Sequence, residues 1–367
     1  YLMGEMEAGN RIVDQRIEAA EAGLLRASDT LESTGGRKAA CITFVPDYAY
    51  CVAVDLHHTQ HGYVALVDLL GKTYRRERFE ILSTDTLETL LGRVRSAFHH
   101  ITGLETTPLR LLGVCVGISA VMSEKNGLVL QSSNALFERI QLGRYLEEVF
   151  PGLPIIVDND ANLACLSQTI DSADLNRLFV FFTQGIGLGI TINGQLYRGA
   201  DGFAGEFGHI KVTGNDRQCK CGHPGCLRTV ATLESIAADL GETEILDRME
   251  TSLDYALHIS QRYEAGEEKV VARLDYAAEK IGEALAALSD LFNPQEIVLG
   301  GNMGVVFPFI RQQIWQSSRS YSKLARSVDT SIRTISVPAH ELVIKGASER
   351  VFRYWLETSF LSFNNSF

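Results

Sequence analysis

Four residues of the chain have the types and spacing of a metal site: His209, Cys219, Cys221 and Cys226 follow one another as His-x9-Cys-x-Cys-x4-Cys. Three thiolates and one imidazole complete a tetrahedral shell, and a shell without an open position holds zinc structurally and does not activate water. Scattered buried cysteines are the alternative. However, three thiols within eight residues, interleaved with Gly222, Pro224 and Gly225, read as a loop wrapped around a metal. Glu206 stands three residues before His209 on a glycine-rich turn that the metal would immobilise. A carboxylate held still in this way is suited to accept hydrogen bonds from sugar hydroxyls.

Those side chains need a scaffold, and the composition bounds it. With 367 residues, 46% of them hydrophobic, the chain is long enough for two lobes and an appendage. A net charge of −11 excludes a protein coated in nucleic acid and confines any DNA contact to a small basic part. Cys41, Cys51, Cys115 and Cys165 lie in apolar surroundings, as reduced core residues of a cytoplasmic protein do. The apolar runs LLGVCVGISAVM and LFVFFTQGIGLGITI are too short and too interrupted to span a bilayer and read as buried strands. No signal-peptide pattern opens the chain, so the expected compartment is the cytoplasm, and Tyr1 in place of Met implies residues before it.

In chain order, Asn10–Leu25 has helical apolar spacing, and LLRAS and AACITFV read as strands joined by a Ser/Thr/Gly turn that bears Arg37 and Lys38. A helix followed by a basic hairpin implies a winged helix; a solvated helical arm is the alternative. YCVAVDL and YVALVDLLGK then read as paired strands around a turn at 57–62. PIIVD is a strand leading to a helix over 162–168, with Asp158 and Asn162 as its caps. Tyr255–Leu291 reads as long helices, IVLGGNMG as a strand and tight turn, and Lys345–Leu356 as a last helix.

The stretch Gly-x-x-Gly-Glu-x-Gly-His followed by Cys-x-Cys-Gly-x-x-Gly-Cys resembles the ROK family of repressors, uncharacterised reading frames and sugar kinases. LPIIVDNDANLA, GIGLGITINGQLYRGADGFAGE and NPQEIVLGGNMG resemble further blocks of that family in the same order. The resemblance implies an α/β, actin-like and ribonuclease-H-like two-lobed sugar-kinase fold. Residues 1–45 would be the remnant of a winged helix-turn-helix, 46–163 the first lobe with 345–367 packing back on it, and 164–344 the second lobe with the zinc loop. GLLRASDTLESTGGRK resembles the close of the repressors' DNA-binding domain, which the family's kinases lack. Its earlier helices do not precede it here, and the helix before it is about a turn longer than the family's.

The resemblance also assigns the site. Asp160 matches the kinases' catalytic base, and Asn134, Asn159, Asp160, Glu206 and His209 match sugar-contacting positions. Both phosphate-binding turns depart from the kinase pattern. Asp-x-Gly-Gly-Thr is Asp55-Leu56-His57-His58-Thr59 here, and Gly-Thr-Gly is Thr183-Gln184-Gly185. Two imidazoles would fill the phosphates' space, and losing both cradles removes the electrostatic support of phosphoryl transfer. Gly300, Gly301 and Gly304 are retained, for nucleotide or for packing. Arg228 stands where the family has a sugar-contacting Glu. A donor-only guanidinium there implies an anionic sugar effector or, equally, an acid such as Glu206 that it neutralises. The expectation is a sugar-responsive transcriptional regulator, a repressor and no enzyme, with structural zinc, a DNA operator, a sugar or sugar-derivative effector and a homodimeric or higher homo-oligomeric state. An ATP-dependent sugar kinase is the alternative, followed by a sugar-binding scaffold.

Overall fold

The computed structural model describes residues 23–28, 41–103, 108–123, 126–168, 175–322 and 330–360. Arg37, Lys38 and nearly all of the expected first helix lie outside these residues. Leu25, given above to the end of that helix, instead opens a strand. β1 (Leu25–Ser28) pairs antiparallel with β2 (Cys41–Phe44), Leu25 opposite Phe44. Leu24 is buried in the main body's core, and Phe44 meets Phe352 edge-on at 5.5 Å, so the hairpin is seated on the body.

β3 (Tyr50–Leu56) and β4 (His61–Asp68) form a hairpin that β5 (Thr73–Glu80) extends at the edge. α1 (Leu87–Thr102) covers one face, capped by Thr86 and Thr89 in a reciprocal capping box. β6 (Leu111–Ile118) is parallel to β3, and the short ribbon of β7 (Ala120–Met122) and β8 (Val129–Ser132) leads to β9 (Ile155–Asn159), parallel to β6. The sheet order is β5-β4-β3-β6-β9. Every residue of β3 is buried because helices cover both faces, which is why its apolar run does not alternate.

α2 (Asp160–Leu166) leads from this sheet to a second one, made from β10 (Arg177–Phe182), β11 (Ile186–Ile192), β12 (Gln195–Leu196), β13 (Glu296–Gly301) and β14 (Ser331–Thr334), in the order β12-β11-β10-β13-β14. α3 (Ser252–Glu264), α4 (Glu268–Phe292) and α5 (Phe307–Tyr321) pack over its outer face. The last helix, α6 (Ala339–Trp355), begins six residues before the expected Lys345, directly after Pro338. It packs on the first sheet and on α2. A Cβ on Gly346 would overlap the Leu163 carbonyl, so glycine alone permits that crossing. α2 and α6 thus form one core with Phe179, Phe181 and Val298 of the second sheet, joining the two halves. No helix among the described residues is long and apolar enough to cross a membrane.

Candidate effector site and metal-binding loop

The metal loop lies between β12 and the outer helices, and it is braced by side chains that spacing did not disclose. Asn215 Nδ2 donates to the Cys226 carbonyl at 3.1 Å and to Thr229 Oγ1 at 3.0 Å, while its Oδ1 accepts from Arg217 N at 3.2 Å. From α4, Glu283 accepts from Thr213 N at 2.7 Å and Thr213 Oγ1 at 2.9 Å. So held, the donor atoms of His209, Cys219, Cys221 and Cys226 all lie within 4.8 Å of one another. His209 Nδ1 is 3.7 Å from Cys219 Sγ, and Cys221 Sγ is 3.6 Å from Cys226 Sγ. Edges of a tetrahedron with 2.3 Å bonds are about 3.8 Å long, so the donor set fits a metal ion of zinc's size and thiolate preference. The ring's other nitrogen, Nε2, faces Glu206 Oε2 at 4.0 Å. Glu206 is half exposed; desolvation raises its carboxyl above the usual range against the pull of His209 and Arg228.

At the start of α2 the structure corrects the capping assignment. Asn159 is the cap: its Oδ1 accepts from Ala161 N at 2.9 Å and Asn162 N at 3.1 Å, and its Nδ2 donates to the Ala120 carbonyl at 3.0 Å. The helix accordingly begins at Asp160, two residues before Asn162. Asp158 is buried and forked by Arg198, whose Nη1 lies 2.7 Å away, with Arg350 at 3.7 Å. An ion pair, not helix capping, is its role. Asp160 is 4% exposed, and burial pushes its carboxyl up to about 6 despite the nearby His57 charge and the Ala161 amide. Asn134 caps the short turn 135–137 through Leu136 N at 3.1 Å, and it is half buried.

The structure therefore forms two groups, Asn159 with Asp160 at the helix start and Glu206 with His209 and Arg228 on the metal loop, while the Asn134 hydrogen bonds are local. Arg228 Nη2 donates to the Gln184 carbonyl at 3.1 Å, and its charge acts on both Glu206 and Glu234. Its partners are protein groups.

The turn between β3 and β4 is filled by its own side chains. His57 Nδ1 lies 2.6 Å from Asp55 Oδ1, with both residues buried. Burial pushes the His57 ring toward its neutral form, but the Asp55 charge and hydrogen bond, with the Asp160 charge, outweigh it and raise the pKa. His58 stacks on His61 at 4.1 Å; desolvation and neighbouring cations push these rings down to about 3 and about 4. Across the cleft, Gln184 Nε2 donates to Thr59 Oγ1 at 2.9 Å. At the late glycine turn, a Cβ on Gly304 would collide with the Ile335 carbonyl, so packing alone accounts for that glycine.

The profile described as ROK family matches residues 51–341. The chain belongs to the ROK family. It is 26% identical to the xylose repressor of Bacillus spizizenii over 332 residues, 89% of this chain and 83% of that protein. A glucokinase from Halalkalibacterium halodurans is 31% identical over 64% of this chain and 75% of its own. Among solved structures, a ROK family transcriptional regulator homologous to E. coli MLC superposes with a TM-score of 0.77 at 21% identity, covering 95% of this chain and 90% of its own. The α/β two-lobed fold expected of the family is the fold found.

Proposed function

We propose that this ROK protein is a sugar-responsive transcriptional regulator of the repressor type. The observation that carries the reading is the filled nucleotide end: His57 and His58 lie buried where a phosphate cradle would need open backbone, and Gln184 reaches Thr59 across the cleft. Named repressors among the relatives support the same reading. Phosphoryl transfer is not part of it. Although Asp160 keeps the base position, the turn at 55–59 offers no glycine amide to a phosphate and the turn at 183–185 keeps only Gly185.

Effector binding would use the sugar end. Asn159 and Asp160 at the helix start, Glu206 and His209 on the metal loop and Asn134 beyond them offer acceptors and donors to a polyhydroxylated ring. Arg228 serves this site by holding the Gln184 carbonyl and offsetting Glu206 and Glu234, which favours a neutral sugar over the anionic one. Zinc, when bound by His209, Cys219, Cys221 and Cys226, fixes the loop that presents Glu206. At the other end Arg37 and Lys38 would contact DNA phosphates from the wing, and a homodimer would match paired half-sites. The protein would act in the cytoplasm, with residues 1–45 as reader, 46–163 as first lobe and 164–344 as second.

The test titrates the protein with operator fragments, with and without xylose, glucose or N-acetylglucosamine, while ADP release is followed. Sugar-dependent change in DNA affinity without turnover is expected. Sugar-dependent ADP release at about one per second or faster would make the protein a kinase instead.

A further inference from the structure

The turn between β3 and β4 belongs to the first sheet, and the turn between β10 and β11 belongs to the second. In a kinase each would face a phosphate, and the nucleotide would hold them together. Here the side chains of the two turns meet directly. Gln184 Nε2 donates to Thr59 Oγ1 at 2.9 Å, with both residues half buried. The Gln184 backbone is fixed from both sides: Thr183 N donates to the Gly185 carbonyl at 2.9 Å, and Arg228 Nη2 holds the Gln184 carbonyl at 3.1 Å. Behind the bond, the His57 ring lies 6.1 Å from the Phe181 ring of the opposite sheet. A second crossing, Arg78 to Glu250 at 3.1 Å, joins side chains 43% and 76% exposed, and solvent screening leaves it little weight.

We infer that Gln184 is a latch that closes the nucleotide end of the cleft in place of a nucleotide, and that Arg228 ties this latch to the effector end. A bridging ligand must be captured from solution and loses its freedom on binding, whereas Thr59 and Gln184 are already on the chain. Closure at that end therefore needs no second ligand. Arg228 reaches the latch through the Gln184 carbonyl and the effector end through its charge on Glu206, so anything that displaces its guanidinium loosens the Gln184 turn. A ligand that binds the closed cleft better than the open one then works against a smaller gap.

The test is backbone hydrogen exchange in the full, metal-loaded, ligand-free chain. Thr59→Val keeps the shape and removes the hydroxyl. If the bond couples the lobes, this change speeds exchange at residues 183–185, on the other side of the cleft, by roughly three- to tenfold. Gln184→Ala does the same for residues 57–60, and the double variant matches the stronger single variant, because both remove one bond. Thr59→Ser, which restores a hydroxyl, returns residues 183–185 to the parent rate. Unchanged exchange in β13 shows that the fold is intact. Parent-like exchange at residues 183–185 in Thr59→Val, or multiplicative effects in the double variant, would overturn the latch. The latch does not depend on the regulator reading; only its benefit to effector binding does. A sugar titration separates the two, since a parent protein that ignores every sugar defeats the sensor while leaving the exchange result standing.

Discussion

Asp160→Asn should make the protein more stable at neutral pH and less able to bind its effector. The carboxyl is buried, and its pKa is raised from 3.8 to about 6. A raised carboxylate means that the folded state holds the proton more tightly than the unfolded chain. Stability is therefore undiminished below pH 3.8, falls as pH rises through the window from 3.8 to 6, and is lower by a constant amount above it. Two units correspond to about 3 kcal/mol at about 1.36 kcal/mol per unit. Asn keeps an oxygen for the Ala161 amide, which Asp160 Oδ1 now accepts at 2.9 Å, so the substitution removes the charge and little else. At about 2.1 cal/mol/K per residue, 3 kcal/mol is about 4 °C of melting temperature for a chain of this length. The assay compares parent and variant melting at pH 4, 5, 6, 7 and 8. The variant's advantage should be small at pH 4, grow through pH 6 and level off. An advantage independent of pH, or a parent that melts higher at pH 8, would refute the reasoning.

Cys221→Ser should lower the bound metal from one zinc per folded chain to a minor fraction and make the protein more easily unfolded. Elemental analysis after metal-replete expression measures it, and a parent with less than about half a zinc would reject the site. Replacing Arg37 and Lys38 together by Ala should weaken operator binding and reduce the salt slope by about two, roughly one for each lost phosphate contact; a parental slope would place the basic pair outside the DNA contact. Arg228→Glu should weaken binding of neutral sugars, because a third carboxylate then faces Glu206 and Glu234 and the Gln184 carbonyl loses its donor. Stronger binding of sugar phosphates than of neutral sugars by the parent would instead restore the anionic effector.

The parts of this molecule that were legible in the sequence are those fixed by local chemistry. The clustering of His209, Cys219, Cys221 and Cys226 could be read because their spacing restricts what four such residues can surround, and the central strands because burial on both faces leaves an unbroken apolar run. The start of α2 is not legible in this way: Asp158, Asn159 and Asp160 are all able to cap a helix, and the partner that engages Asp158 in an ion pair, Arg198, stands some forty residues onward. Arg228 and Gln184 meet through a backbone carbonyl, which no residue type announces. Asn215 looks like an ordinary turn residue, and its bracing of the loop follows from the path of the chain around it. The early start of α6 did have a signal, Pro338 just ahead of Glu341, which the apolar spacing farther along overshadowed.

α6 touches three regions along one length. Near its start His340 stacks on Tyr63 at 4.4 Å, beside the buried His61; at its middle Gly346 lies against α2, whose first residue is Asp160; near its end Phe352 meets Phe44 of the first hairpin. His340 and Phe352 are twelve residues apart, about 18 Å along a helix. A rigid rod with its fulcrum between its ends moves both of them whenever either is pushed. With a hairpin resting on its far end, the rod has the geometry of a lever. The first hairpin and the turn between β3 and β4 are thereby joined through one helix, with α2 at its pivot.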